Sequence, residues 1–150
     1  MKKLSLFILA SSFIFGGSQQ LYAAQQEHNH QHSANSEEKA IDGLSLNHGK
    51  RWEMDKHTRI MSVKMNDTFF NSDHSTLASL NFLGIKLEKQ LNELIAGCTM
   101  DGEAHNQLHL FLTDYIPTVQ DLAKAKNLDM ARRSAIKLKG YLEGYKKHFK

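Results

Sequence analysis

From residue 55 onward, apolar side chains return at three- and four-residue intervals in four successive blocks, each closed by a short polar break. That period lines one face of a helix, whereas a strand needs alternation at every second residue. In the first block His57, Met61, Met65 and Phe69 recur at spacing four, with Ile60, Val63 and Phe70 beside them, which predicts a helix over residues 55–70. Asn71-Ser72-Asp73 interrupts it, and Ser72 or Asp73 is placed to cap the next helix. The second block runs through Leu77, Leu80, Gly84, Leu87, Leu91, Leu94 and Cys98. A turn over residues 99–102 follows, with Asp101 suited to an N-cap. The third block carries Leu108, Leu112, Tyr115, Val119 and Leu122, and Pro117 inside it is expected to kink or shorten the helix. Asn127 is a cap for the fourth block, where Leu128, Ala131, Ala135, Leu138, Leu142, Tyr145 and Phe149 form a heptad-like seam. Four amphipathic segments of similar length with short connections predict an all-α fold, an up-down antiparallel four-helix bundle over residues 44–150. Residues 44–52 form a leading segment before the first helix.

The N-terminal part reads differently. Lys2 and Lys3 precede a short apolar run over residues 4–15, and Leu21-Tyr22-Ala23 follows a small-residue and polar stretch. The run is too short to span a bilayer as a helix. The layout is that of a cleavable secretory signal, residues 1–23, with the cut expected after Ala23. No cysteine sits near that cut, so no lipid anchor is expected. The protein is therefore expected to be periplasmic. Losing Lys2 and Lys3 lowers the net charge from +3 to about +1. With so little charge, and no basic stripe interleaved with aromatics, nucleic acid is not expected as a partner. Residues 24–43 are polar and lack periodicity, which predicts a disordered tail. His28, His30 and His32 alternate within it, an arrangement that lets three imidazoles gather loosely on one metal ion.

The densest chemistry lies between the second and third blocks. Cys98 closes one helix, Met100 sits in the turn, and His105 and His109 share a face one turn apart on the next. A thiol, a thioether and two imidazoles in so short a span suit a soft metal, copper above all. The spacing matches no standard zinc module. A buried cysteine, a gap-filling methionine and two ordinary histidines are the structural alternative. A second ligand stripe, Met54, His57, Met61 and Met65, lies along the first helix, although methionines at helical spacing commonly fill a core. Copper sequestration or delivery is thus the leading expectation. Non-covalent haem b is the alternative cofactor, since Cys-x-x-Cys-His is missing. Its axial pair would come from Met61 or Met65, or from Met54 or His57, with His148. A third reading is a structural or partner-binding bundle, in which Cys98 is packed in the core or joins two copies as a homodimer. No oxyanion loop or glycine-rich phosphate loop is present, so no enzymatic activity is expected.

Leu46-Asn47-His48-Gly49-Lys50-Arg51-Trp52, followed by Asp55, and then Cys98, Glu103-Ala104 and Leu108-His109 resemble small exported helical proteins known as DnrO-like. The resemblance covers residues 46–109. The methionine-rich first helix, Met100 and His105 depart from the family's pattern. It implies export, a helical fold and importance of Trp52, Cys98 and His109, and it implies no reaction.

Overall fold

A computed structural model describes residue 41 and residues 43–150. The signal segment, most of the polar tail and the histidines at 28, 30 and 32 lie outside the described residues. Four helices follow one another: α1 (Lys56–Phe70), α2 (Leu77–Gly97), α3 (Gly102–Ala123) and α4 (Leu128–His148). Among the described residues there is no strand, and no helix is long and apolar enough to cross a membrane.

Consecutive helices pack side by side and run antiparallel. His57 at the start of α1 meets Glu93 near the end of α2, and Gln90 reaches Thr68 near the end of α1. Asn81 at the start of α2 donates to the Ala125 carbonyl just past α3. Phe111 on α3 meets Tyr145 and Phe149 at the end of α4. The 3–4 spacing decides which face turns inward. Leu80, Leu87, Leu122, Leu138, Val119 and Tyr115 lose all solvent contact. Each such side chain contributes roughly 1.5–3 kcal/mol of transfer free energy. Met61, Met65 and Phe69 form the buried stripe of α1, and Met54 just before the helix is buried with them, at 2–5% exposure. Ile60 and Val63, placed by sequence beside that stripe, are 55% and 60% exposed, and Phe70 is 44% exposed. Each residue advances about 100° around a helix, so one position away from the stripe is already the outer flank.

The helix boundaries follow cap chemistry. Asp55 caps α1 by accepting from the Thr58 amide at 2.6 Å. The cap of α2 is Thr76, not Ser72 or Asp73. Thr76 and Ser79 close a reciprocal capping box, while Asp73 spends its carboxylate on Ser75. Asp101 occupies the N-cap of α3 without a side-chain bond, and Asn127 caps α4 through the Met130 amide at 2.9 Å. Pro117 does not shorten α3, which continues through it to Ala123. Pro117 and Thr113, whose carbonyl loses its amide donor, are both exposed residues.

The leading segment is stitched to the far end of the chain. His48 and Gly49 both have positive φ, and the Asn47 and Lys50 backbones exchange hydrogen bonds of 2.8 and 2.9 Å around them. This is the two-residue hairpin turn for which Asn-x-Gly sequences are suited, because glycine carries no Cβ to clash at φ +80°. Trp52 then pairs with the chain after α4. Its amide donates to the His148 carbonyl, its carbonyl accepts from Lys150, and Met54 donates to Lys150. The indole Nε1 closes back on the Ser45 carbonyl at 2.6 Å. Ile41 is also buried in the core, so the packed domain begins before residue 44, inside the stretch expected to be disordered.

Packing of α2 on α3 is closest at Gly84. A Cβ there would collide with the Ala123 amide nitrogen and approach the Leu122 carbonyl carbon at 2.9 Å. A Cβ on Gly144 in α4 would meet nothing. Two substitutions of the same chemistry should therefore differ in sign. Gly84→Ala should destabilise by about 1–3 kcal/mol. Gly144→Ala should stabilise by roughly 0.5–1 kcal/mol through helix propensity. Thermal melts followed by far-UV circular dichroism check both.

Candidate functional site at the α2–α3 turn

Backbone geometry brings the thiol and the imidazoles together. Cys98 is the C-cap of α2, with extended dihedrals that swing the chain out of the helix. After three intervening residues α3 begins, and His105 and His109 lie on its first and second turns. The Cys98 Sγ is 3.9 Å from His105 Nδ1, a long contact for a weak sulfur hydrogen bond. His105 Nε2 is 2.7 Å from His109 Nε2, and the two rings lie 4.4 Å apart at a 40° tilt. One of these two nitrogens carries the proton and the other accepts it, so at least one ring is neutral in this arrangement. His105 is thus the middle member of a thiol–imidazole–imidazole chain. The three side chains edge a surface pocket of about 210 Å³ whose inner wall is Leu94, Leu108 and Leu112.

No known family, characterised protein or solved structure matches the chain. The geometry alone therefore carries the functional reading.

The turn itself is held by Asp55. One carboxylate oxygen caps α1, and the other accepts from both the Thr99 amide, at 2.7 Å, and the Thr99 hydroxyl, at 2.9 Å. Burial opposes ionisation, yet the backbone and hydroxyl donors of Thr58 and Thr99 outweigh it and hold the carboxyl far below the usual carboxylate range. Thr99 lies between Cys98 and Met100, so this clamp fixes the direction in which both leave α2. Glu103 accepts from Gln107 at 3.0 Å, and Gln107 Oε1 accepts the Ser45 amide at 2.8 Å, which ties the leading segment to the start of α3.

The other predicted ligands fall elsewhere. Met100 is half-buried and packs against the hydrophobic core, outside the residues that edge the pocket. Met54, Met61 and Met65 are core side chains, so their stripe does the packing work its period permits. His57 donates from Nε2 to the Glu93 carbonyl at 3.0 Å, with its ring laid over Gly97. Among the described candidate ligands, only Cys98, His105 and His109 converge. Among the described residues, no three histidine, cysteine or carboxylate groups are already arranged around one point as a metal cage. The reason is visible at His105, which offers a different nitrogen to each neighbour.

Among the residues considered as haem ligands, His148 donates from Nδ1 to the Gly144 carbonyl at 2.8 Å, the usual second bond of a ligating histidine, and its Nε2 is not engaged by that bond. The cavity reaching Met65 holds about 110 Å³, well under the roughly 300 Å³ at which pockets for larger ligands begin.

Sequence reasoning did not anticipate the role of Asp55 and Thr99. The signal was present, since an acidic residue directly before a helical period is an N-cap candidate. The second bond, to a residue 44 positions away, has no local sequence signature.

Because the folded-state pKa of Asp55 is depressed, its stabilisation is fully present above the unfolded value near 3.9 and fades as pH falls below it. Asp55→Asn should keep the cap to Thr58 but weaken the clamp on Thr99, costing about 1–3 kcal/mol at pH 7. The gap in melting temperature between wild type and Asp55→Asn should narrow steadily between pH 5 and pH 2, at about those values. A gap independent of pH would assign the loss to packing instead.

Proposed function

We propose that the protein is a periplasmic soft-metal binding module, with copper as the metal, and that Cys98, His105 and His109 are its primary ligands. The observation that carries this reading is the unbroken contact from the Cys98 sulfur through His105 to His109 at one pocket edge. A thiolate with imidazoles favours Cu(I) over harder cations. Metal binding displaces the thiol proton, so affinity falls as pH falls. For all three groups to reach a single ion, Cys98 or His105 must change rotamer, because His105 now faces its neighbours through opposite nitrogens. Both residues sit at the edge of the fold, where such a change disturbs little packing. Met100, two residues beyond Cys98, is the nearest thioether in sequence and would join only if the turn opens.

In this reading the first 23 residues direct export and are removed. The histidines at 28, 30 and 32 then act as a low-affinity collector, and the helical domain is the higher-affinity store. The resemblance to exported DnrO-like proteins agrees with export and with importance of Cys98 and His109. Trp52 and Asp55, the other residues of that pattern, serve the strap and the clamp that hold the turn in place. The role is sequestration or delivery without turnover.

The deciding measurement is Cu(I) titration of the mature chain against a chromophoric chelator. A variant with His28, His30 and His32 all changed to alanine should still bind one equivalent. Adding Cys98→Ser or His109→Ala to it should weaken that binding at least about tenfold, roughly 1.4 kcal/mol. If the tail variant loses all binding, or if neither turn substitution alters affinity, the turn is packing and the reading fails.

A further inference from the structure

Consecutive helices of the bundle pack closely, whereas α1 and α4 lack that close backbone contact. Where α1 ends, an open trough of about 410 Å³ lies between it, the α1–α2 connection and the first half of α4. Phe69, Leu80 and Ala135 are buried behind it, while Phe70 and Ile136 remain 44% and 71% exposed along it. The space is well above the roughly 150 Å³ that admits benzene into an apolar cavity. It falls in the range of about 300–1,000 Å³ that takes small molecules. A protein partner would need roughly 800 Å² of this surface, far more than so local a hollow presents.

The polar groups of the wall are already engaged. Ser72 Oγ donates to the Thr68 carbonyl at 2.6 Å. His74 donates from Nε2 to the Phe69 carbonyl at 2.9 Å, with its ring edge-on to Phe69. The cations of the rim are differently placed. Arg132 has no hydrogen-bond or ion-pair partner among the described residues. Lys139 holds an exposed pair with Glu143 at 3.6 Å, of the kind that contributes little in water. Lys146 stands over the Phe70 ring at 5.4 Å. Arg132, Lys139 and Lys146 are seven residues apart, so they share one face of α4. Among the described residues, no acidic side chain lines the trough. A plain hydrocarbon would leave the basic rim unused, and a small hydrophilic anion would leave Phe70 and Ile136 in water. An amphiphile with an anionic head engages both.

We propose that this trough binds a free alkanoate of medium chain length, its tail lying on Phe70 and Ile136 and its carboxylate on Arg132. A guanidinium suits that head because it donates two parallel N–H bonds to a carboxylate. Lys139, on the same rim, adds attraction for the negative charge. The site lies near the start of α2 and Cys98 at its end. It shares no lining residue with the pocket of the metal ligands and does not depend on them.

The test is a titration of the metal-free mature chain, with chelator present, read by 1H–15N NMR. The probes are decanoate and decyltrimethylammonium, which carries the same tail under the opposite charge. Decanoate should give saturable shifts clustered at Phe70, His74 and Ile136. It should bind at least about tenfold more tightly than the ammonium, and at least about fivefold more tightly than octanoate, because each methylene taken from water adds affinity. Arg132→Gln, at an exposed position, should weaken decanoate at least about fivefold without weakening the ammonium. Ile136→Ser, also exposed, should weaken both probes. Cys98→Ser should leave decanoate binding unchanged, and a change there would overturn the independence of the two sites. Equal affinity for the two probes would overturn the proposal. So would shifts confined to other surfaces, or no saturable shift up to about 10 mM decanoate, a range that reaches weak millimolar affinities.

Discussion

The arrangement around the α2–α3 turn rests on one carboxylate. Asp55 starts α1 by capping it and, with its second oxygen, grips Thr99 in the turn that separates Cys98 from Met100. Hydrogen bonds to a charged acceptor are stronger than neutral ones, and this acceptor takes three donors. Without it, the α1 N-terminus and the turn would be joined only by side-chain packing, and the exit direction of Cys98 would be free to vary. The leading segment reinforces the same corner. Trp52 is fixed two residues before Met54, and Ser45 reaches α3 through Gln107. The candidate ligands therefore sit on a corner bound from three sides, although each is near the surface.

Much of the fold was legible because the inward faces repeat at helical spacing. Leu108, Leu112, Tyr115, Val119 and Leu122 were identified as a face, and all are buried. The same holds for Ala131, Ala135, Leu138 and Leu142. What escaped reading was whatever depends on distant partners. The flanks of α1 looked apolar, yet Ile60 and Val63 have no helix laid over them. Ser72 and Asp73 looked like caps, but Thr76 has the reciprocal partner at the right interval. Pro117 looked disruptive, yet α3 runs on through it, at a position where both it and Thr113 are exposed. Ile41 sat in a polar stretch whose composition hid a single anchoring side chain.

The candidate site was legible in part, for the same reason. The i, i+4 relation of His105 and His109 is local, and so is the position of Cys98 at a helix end. Their mutual approach is a consequence of how α2 turns into α3. Met100 has the right chemistry and the wrong direction, since its side chain is drawn toward the core. The methionines of α1 show the same competition resolved wholly for packing. A flexible thioether serves either purpose, and sequence spacing cannot separate them. Leu94, Leu108 and Leu112 divide two cavities, so a single apolar partition keeps the polar chemistry of the pocket edge apart from the aromatic interior.

The strap has a meaning in time as well as space. Helix-pair contacts join near neighbours in the chain and can form as soon as each hairpin is present, whereas Arg51 bonds to Lys146 across 95 positions. Distant contacts close late, after the local ones have reduced the loop to be spanned. The Asn47–Lys50 hairpin and Trp52 emerge first in any N-to-C threading of this chain and find their partner last. Until then the corner that carries Cys98 lacks one of its supports.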